Sequence, residues 1–312
     1  MKKLFQYLIF CMFALLVTDR GLSFILDYLY VKTKTGQTGG KINYYLTSTK
    51  HVDFLIMGNS RSLYQIIPDS LAGNAYNLSH AGMGPSFQTG LLSVLIKQAK
   101  LPSIILLHIE PYDFIGDHEN RDIQNLRYYY GKDSIVTQLI NKISTTEKFK
   151  FTFQLYRYNG KGFSLLKNFV QTSSSAIDSN GYEPLPPQPT DSINTLYSVQ
   201  AHEPIPAASL NPEQAEILSD FIQMCRVKNI KLICFTSPVY YESDSNFTVA
   251  LDSLGAFLAK MNVPYLNYIK SPIESLENHP SLWRDANHLN HKGAQIESQR
   301  LKKDLTGLLE QE

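Results

Sequence analysis

Five short apolar runs, each closed by a glycine or a polar turn, constrain the fold of this chain more than any other feature. They lie at 52–57, 75–78, 103–109, 230–236 and 264–268. Helix-like segments at 87–100, 213–228, 247–261 and 294–309 separate or follow them. Asn211-Pro212-Glu213 supplies the start signal for the second of these helices. Runs that are largely continuous in apolar residues, the first broken only by Asp53, rather than alternating, are expected where helices cover both faces of a sheet. The pattern predicts a three-layer α/β/α sandwich around a mostly parallel, five-stranded sheet. A chain of 312 residues has enough length to bury the core such a sheet requires.

The rhythm breaks between the third and fourth runs. Positions 114–210 hold aromatic clusters (Tyr128, Tyr129 and Tyr130; Phe149, Phe151 and Phe153) and then a Pro/Ser-rich tract at 183–206. An insertion at the carboxyl ends of parallel strands is either a lid or substrate platform, or a peripheral packed segment. The chain has 19 Tyr and 16 Phe, a load that suits ordinary packing or a carbohydrate-facing cleft. A net charge of +1 gives no electrostatic case for nucleic acid. Cys11, Cys225 and Cys234 form no disulfide framework, and the latter two read as core positions.

At the N-terminus, Lys2 and Lys3 precede an apolar run at 4–17, closed by Thr18, Asp19 and Arg20. The run is shorter than the roughly 20 residues of a comfortable membrane span. No small-residue cleavage site follows, and a second amphipathic stretch begins at Leu22. Bulky Phe10 stands where a lipoprotein site at Cys11 needs a small residue. The expected arrangement is an uncleaved signal anchor over 1–31, lysines inside, with the body at 32–312 extracytoplasmic, in the periplasm or at the cell surface. A buried N-terminal helix of a soluble protein is the alternative.

Two segments carry candidate chemistry. Ser60 follows the first strand in Gly58-Asn59-Ser60, where a strand-to-helix turn projects its hydroxyl above the sheet edge. Asp285-Ala286-Asn287-His288 lies before the last helix, and its spacing lets a carboxylate and an imidazole meet at one turn. The bland readings are an N-cap serine, an N-cap aspartate and a surface histidine.

Gly58-Asn59-Ser60, Gly82 after the second strand, and Asp285-x-x-His288-Leu289-Asn290-x-x-Gly293-Ala294 together resemble the blocks of the SGNH/GDSL hydrolase family. The resemblance covers 52–109 and 230 onward, and leaves out the insertion and the N-terminal segment. It implies a flavodoxin-like SGNH fold, with Ser60 as nucleophile, His288 as general base and Asp285 as its orienting acid. The backbone N–H groups of Ser60 and Gly82 would bind the oxyanion, and no metal or cofactor would be needed. The family's third block usually offers an Asn; here the strand ends in His108-Ile109-Glu110-Pro111-Tyr112-Asp113, where Tyr112 would be the substitute donor. Divergent membrane-anchored members that act on envelope polysaccharides relax this block.

The implied activity is acyl transfer to water or to a sugar hydroxyl, on an acylated glycan or a small ester. An integral membrane acyl donor would be its partner if it is a transferase. A catalytically inactive SGNH-fold scaffold in envelope polysaccharide assembly is the rival reading. A third makes Asp285, His288 and His291 a metal site, though zinc ordinarily wants three or four clustered ligands. Ser237, before Pro238, reads as a turn residue.

Overall fold

The computed structural model describes residues 1–48, 51–116, 120–171, 179–187, 210–240, 245–276 and 279–310. In chain order the regular elements are α1 (Lys2–Lys32), α2 (Lys41–Thr47), β1 (Phe54–Met57), α3 (Ser60–Gln65), β2 (Ala75–Asn77), α4 (Pro85–Lys97) and β3 (Ile104–His108). There follow α5 (Ser134–Ile143), α6 (Glu147–Lys150), α7 (Gly162–Val170), α8 (Pro212–Val227), β4 (Lys231–Thr236), α9 (Ser245–Lys260), β5 (Tyr265–Asn267) and α10 (His291–Leu309). They group into two compact units, Met1–Ser48 with Ile123–Ser174, and Thr49–Asp122 with Ser175–Glu312.

The larger unit is the α/β sandwich. All strand pairs are parallel and the order is β2-β1-β3-β4-β5. Ile56 stands between Asn77 and Leu106, and Leu107 between Met57 and Cys234. Alternation along each strand sends Phe54, Ile56, Leu106, Ile233 and Phe235 to one face, where they pack with Trp283, Leu289, Leu301 and Leu305 under α10. On the other face α4 and α8 lie side by side. Each observed strand falls inside its predicted run, because an uninterrupted apolar stretch ended by a turn has few other ways to bury itself. The last helix starts three residues earlier than predicted, at His291, because the Asn290 side chain caps it, accepting from the N–H groups of Lys292 (3.0 Å) and Gly293 (3.2 Å).

The order of the strands reverses at β1, since β2 lies to one side and β3 to the other. In open α/β sheets this is where a crevice opens at the carboxyl ends of the strands. Ser60 sits at that point.

The smaller unit is built on α1. The sequence pattern suggested an apolar run that stops at Thr18-Asp19-Arg20 and a separate second stretch; the structure has one unbroken 31-residue helix through these residues. No Gly-Pro break interrupts it, and Asp19 is satisfied from outside the helix. Its carboxylate accepts the N–H groups of Gln154 (2.9 Å) and Leu155 (3.0 Å), capping the 3₁₀ turn Gln154–Tyr158. Asp27 accepts from the Tyr158 hydroxyl and pairs with Lys132 at 3.3 Å, and Tyr30 stacks on Tyr128 at 3.9 Å between centroids. Tyr128, Tyr129 and Tyr158 of the insertion thus pack on the second half of α1, around Tyr30. The helix is long and apolar enough to cross a membrane. Most of the Pro/Ser tract, from 188, lies outside the described residues.

Candidate active site

The turn after β1 is built by three residues with separate jobs. Gly58 has φ +145°, and a Cβ there would stand 2.6 Å from the His108 Cβ and 2.5 Å from the Ser62 Oγ, so only glycine fits. Asn59 caps α3 by accepting the Arg61 N–H at 3.0 Å. An Asp here would cap the helix as well, since both are strong N-caps. Ser60 is then the first helical residue. Asn77, on β2, holds the far end of this short helix by donating to the carbonyls of Ser62 (2.7 Å) and Ile66 (2.9 Å).

The loop before α10 is equally determined. Asn290, 1% exposed, donates to the Ser281 carbonyl at 2.7 Å while capping the helix. At Gly293 a Cβ would stand 2.4 Å from the Leu282 carbonyl oxygen, so the helix can start this close only with glycine. The Asp285 carboxylate accepts the N–H groups of Asn287 and His288, both at 2.9 Å, closing a tight turn. Gln65 donates to the Asn287 carbonyl at 2.8 Å and ties this turn to α3.

Ser60 and His288, 228 residues apart in sequence, meet there. Ser60 Oγ lies 2.8 Å from His288 Nε2, and His288 Nδ1 lies 2.9 and 3.0 Å from the two Asp285 oxygens. A carboxylate at Nδ1 selects the tautomer with its proton on that nitrogen, leaving Nε2 to accept from the Ser60 hydroxyl. Burial pushes the Asp285 carboxyl up, but its hydrogen bonds to the His288 ring and to the Asn287 and His288 amides outweigh this, and it titrates below the usual carboxylate range. It is therefore ionised at neutral pH. Tyr64 presents its ring edge-on to the imidazole at 5.7 Å.

Gly82 has φ +70° and is itself exposed in the loop between β2 and α4, with nothing within 4 Å of where a Cβ would be. Beside Asn59 opens a cleft of about 340 Å³, the open solvent at its mouth included. Its walls include Met83, Gly84 and Gln88 from the Gly82 loop and α4, Glu110, Asp113 and Phe114 after β3, and Leu218 and Phe221 of α8. Tyr112 is not among the residues that line it. Burial, with Glu110 and Asp122 nearby, raises the Asp113 carboxyl to about 7.

Sequence reasoning missed the polar framework behind the serine. Arg61, only 4% exposed, donates from Nη1 to Glu110 at 2.7 Å and from Nη2 to the carbonyls of Ser237 and Pro238 (2.9 Å for the latter). One guanidinium thereby joins the segments that follow β1, β3 and β4. His108 accepts the Ser237 N–H at Nε2 (3.3 Å); its burial, then Arg61 and His288, lower its pKa well below the usual histidine range, so it is neutral. The Glu297 carboxyl on α10 is fully buried beside Ser237 and Arg61, and burial raises it to about 8. Ser237 is itself fully buried. An arginine after the motif serine reads in sequence as exposed, and nothing local marks it otherwise.

His291 Nδ1 lies 3.0 Å from the Tyr182 hydroxyl, and the described residues hold no group of three or more His, Cys, Asp or Glu placed to bind a metal ion. Cys225 and Cys234 are buried free thiols, and Cys11 is exposed on α1.

No protein-family description matches the chain, and no curated protein matches it in sequence. Among solved structures it is similar to a Bacteroides fragilis protein whose description, acylhydrolase, is provisional. The identity is 11%, over 85% of this chain and 94% of that one, with a TM-score of 0.42. It is also similar to a Streptococcus pneumonia protein described, again provisionally, as a platelet activating factor. There the identity is 14%, over 92% of this chain and 98% of the other, with a TM-score of 0.44. At this level of likeness neither bears on the chemistry of this chain.

Proposed function

We propose that this chain is a divergent, membrane-tethered SGNH-type enzyme that transfers acyl groups through Ser60. The observation that carries the reading is the Asp285–His288–Ser60 relay, with both links between 2.8 and 3.0 Å. Two loops far apart in the sequence, each built around a glycine that leaves no room for a Cβ and an asparagine that caps the next helix, deliver these groups to the carboxyl edge of the sheet.

The steps follow from the geometry. Ser60 Oγ forms a bond to the acyl carbonyl carbon as His288 Nε2 takes its proton, and Asp285 stabilises the imidazolium. The oxyanion is bound by the N–H groups of Ser60 and Gly82, each such donor being worth about 2.7–4 kcal/mol of barrier. The tetrahedral intermediate collapses, His288 gives its proton to the departing oxygen, and the acyl group remains on Ser60. A water or a sugar hydroxyl, deprotonated by His288, then releases it. The cell-envelope glycan is the proposed substrate or acceptor, α1 is the proposed anchor, and an integral membrane acyl donor is the partner proposed for a transferase.

The covalent route has a kinetic signature. With p-nitrophenyl acetate the protein should give a burst of p-nitrophenol stoichiometric with enzyme, and the slow phase should divert product from acetate to an acetylated oligosaccharide when a glycan acceptor is added. Single-phase release that Ser60→Ala leaves unchanged would count against an acyl-enzyme. A burst that no glycan diverts would leave an esterase.

A further inference from the structure

The smaller unit exposes apolar side chains that its own fold does not explain. α6 and the segment after it read Lys148-Phe149-Lys150-Phe151-Thr152-Phe153. Phe151 is used internally, stacked on Tyr130 at 3.5 Å between centroids. Phe149 and Phe153, by contrast, are 66% and 43% exposed. The Lys148 ammonium stands 5.1 Å from the Phe149 ring centre, and Lys150 pairs with Glu147 at 2.5 Å. Isolated exposed phenylalanines are ordinary; two on one loop among lysines, beside an apolar helix, match an interfacial contact.

The place at which this loop meets α1 decides what covers it. Arg20 donates to the Thr152 carbonyl at 3.1 and 3.2 Å, and Asp19 caps the turn that follows Phe153. On α1 every residue before Asp19 is exposed apart from Leu16, which is partly so. A helix rises about 1.5 Å per residue and a bilayer core is about 30 Å thick, so a span starting at Leu4 ends some 20 residues on, near Ser23. That end lies within one turn of Arg20. Beyond it, Phe24 and Tyr28 face outward at 77% and 58% exposure, as aromatic residues do in the headgroup belt. The loop is therefore held at the boundary between acyl chains and headgroups.

We propose that 148–153 is a second membrane contact, made with the bilayer that α1 crosses. Phe149 and Phe153 enter the acyl-chain boundary, and Lys148 reaches anionic lipid phosphates, while Arg20 and Lys150 stay with Thr152, Asp19 and Glu147. The proposal rests on the reading of α1 as a span.

The test uses the full chain in vesicles of phosphatidylglycerol and phosphatidylcholine, with Phe149→Trp or Phe153→Trp as the probe and brominated phosphatidylcholine as the quencher. Trp283, the single natural tryptophan, is 1% exposed and supplies a constant background. Phe10→Trp reports the span itself. The expected result is loss of emission on bromination from positions 10, 149 and 153, with no loss in the unsubstituted chain. Quenching at 10 without quenching at 149 and 153 overturns the loop contact and leaves the span, as it would if a protein partner covers those rings. A chain that neither floats with vesicles nor is quenched at 10 overturns both.

Discussion

On the proposed mechanism, Asp285→Asn is expected to lower the acyl-transfer rate by up to about 10⁴-fold while leaving the fold intact. The reason is a tautomer. Asp285 Oδ1 accepts two backbone N–H groups as well as lying 2.9 Å from His288 Nδ1, and Oδ2 lies 3.0 Å from the same nitrogen. An asparagine keeps the backbone contacts with its Oδ1 and so turns its Nδ2 toward the ring. Two donors cannot face each other, so His288 loses its proton at Nδ1 and carries it at Nε2, where it can no longer accept from Ser60. The figure is an upper one because the Asp285 side chain is 36% exposed, and water shares the imidazolium charge. Steady-state kinetics with a small ester, alongside a thermal melt, check it. A loss below tenfold would mean that the carboxylate does not orient the base.

The largest effect on stability is expected from Arg61→Met. Removing one partner of a buried ion pair costs about 3–5 kcal/mol, because the other charge is left without compensation. Here the loss strands Glu110, 15% exposed, and frees the carbonyls of Ser237 and Pro238. Arg61→Met combined with Glu110→Gln should recover part of that cost, since the two positions are coupled. Urea unfolding of the three variants measures both quantities. If Arg61→Met moves stability by less than about 1 kcal/mol, the framework behind the serine is not held by this guanidinium. The same substitution should also slow acyl transfer, because it loosens the segments after β1, β3 and β4 at the edge where Ser60 stands.

What could be read from the sequence, and what could not, divides along the range of the interactions. The strands were legible because each apolar run contains its own reason to be buried. Gly58 and Gly293 lie in the segments that resemble SGNH/GDSL blocks, and the structure supplies the physical cause, a Cβ at either position meeting atoms within 2.6 Å. Ser60, Asp285 and His288 were candidates from local spacing, although only the fold brings residues 228 apart to 2.8 Å. Asp19, Asp27 and Arg61 were misread or passed over, each for one reason. A charged side chain is assumed to face water unless its partners are known, and those partners lie 49 to 177 residues away. The helical continuity of α1 through Asp19 was hidden in the same way. The short 3₁₀ turns of the insertion have no period for a pattern to reveal.

The most direct test of the central claim is to treat the detergent-solubilised full chain with a fluorophosphonate and map the adduct by peptide mass spectrometry. The account predicts one modified residue, Ser60, with labelling abolished in Ser60→Ala and strongly reduced in His288→Ala. A folded protein that takes up no probe, or that carries it on another serine, would contradict the assignment of Ser60 as an activated nucleophile.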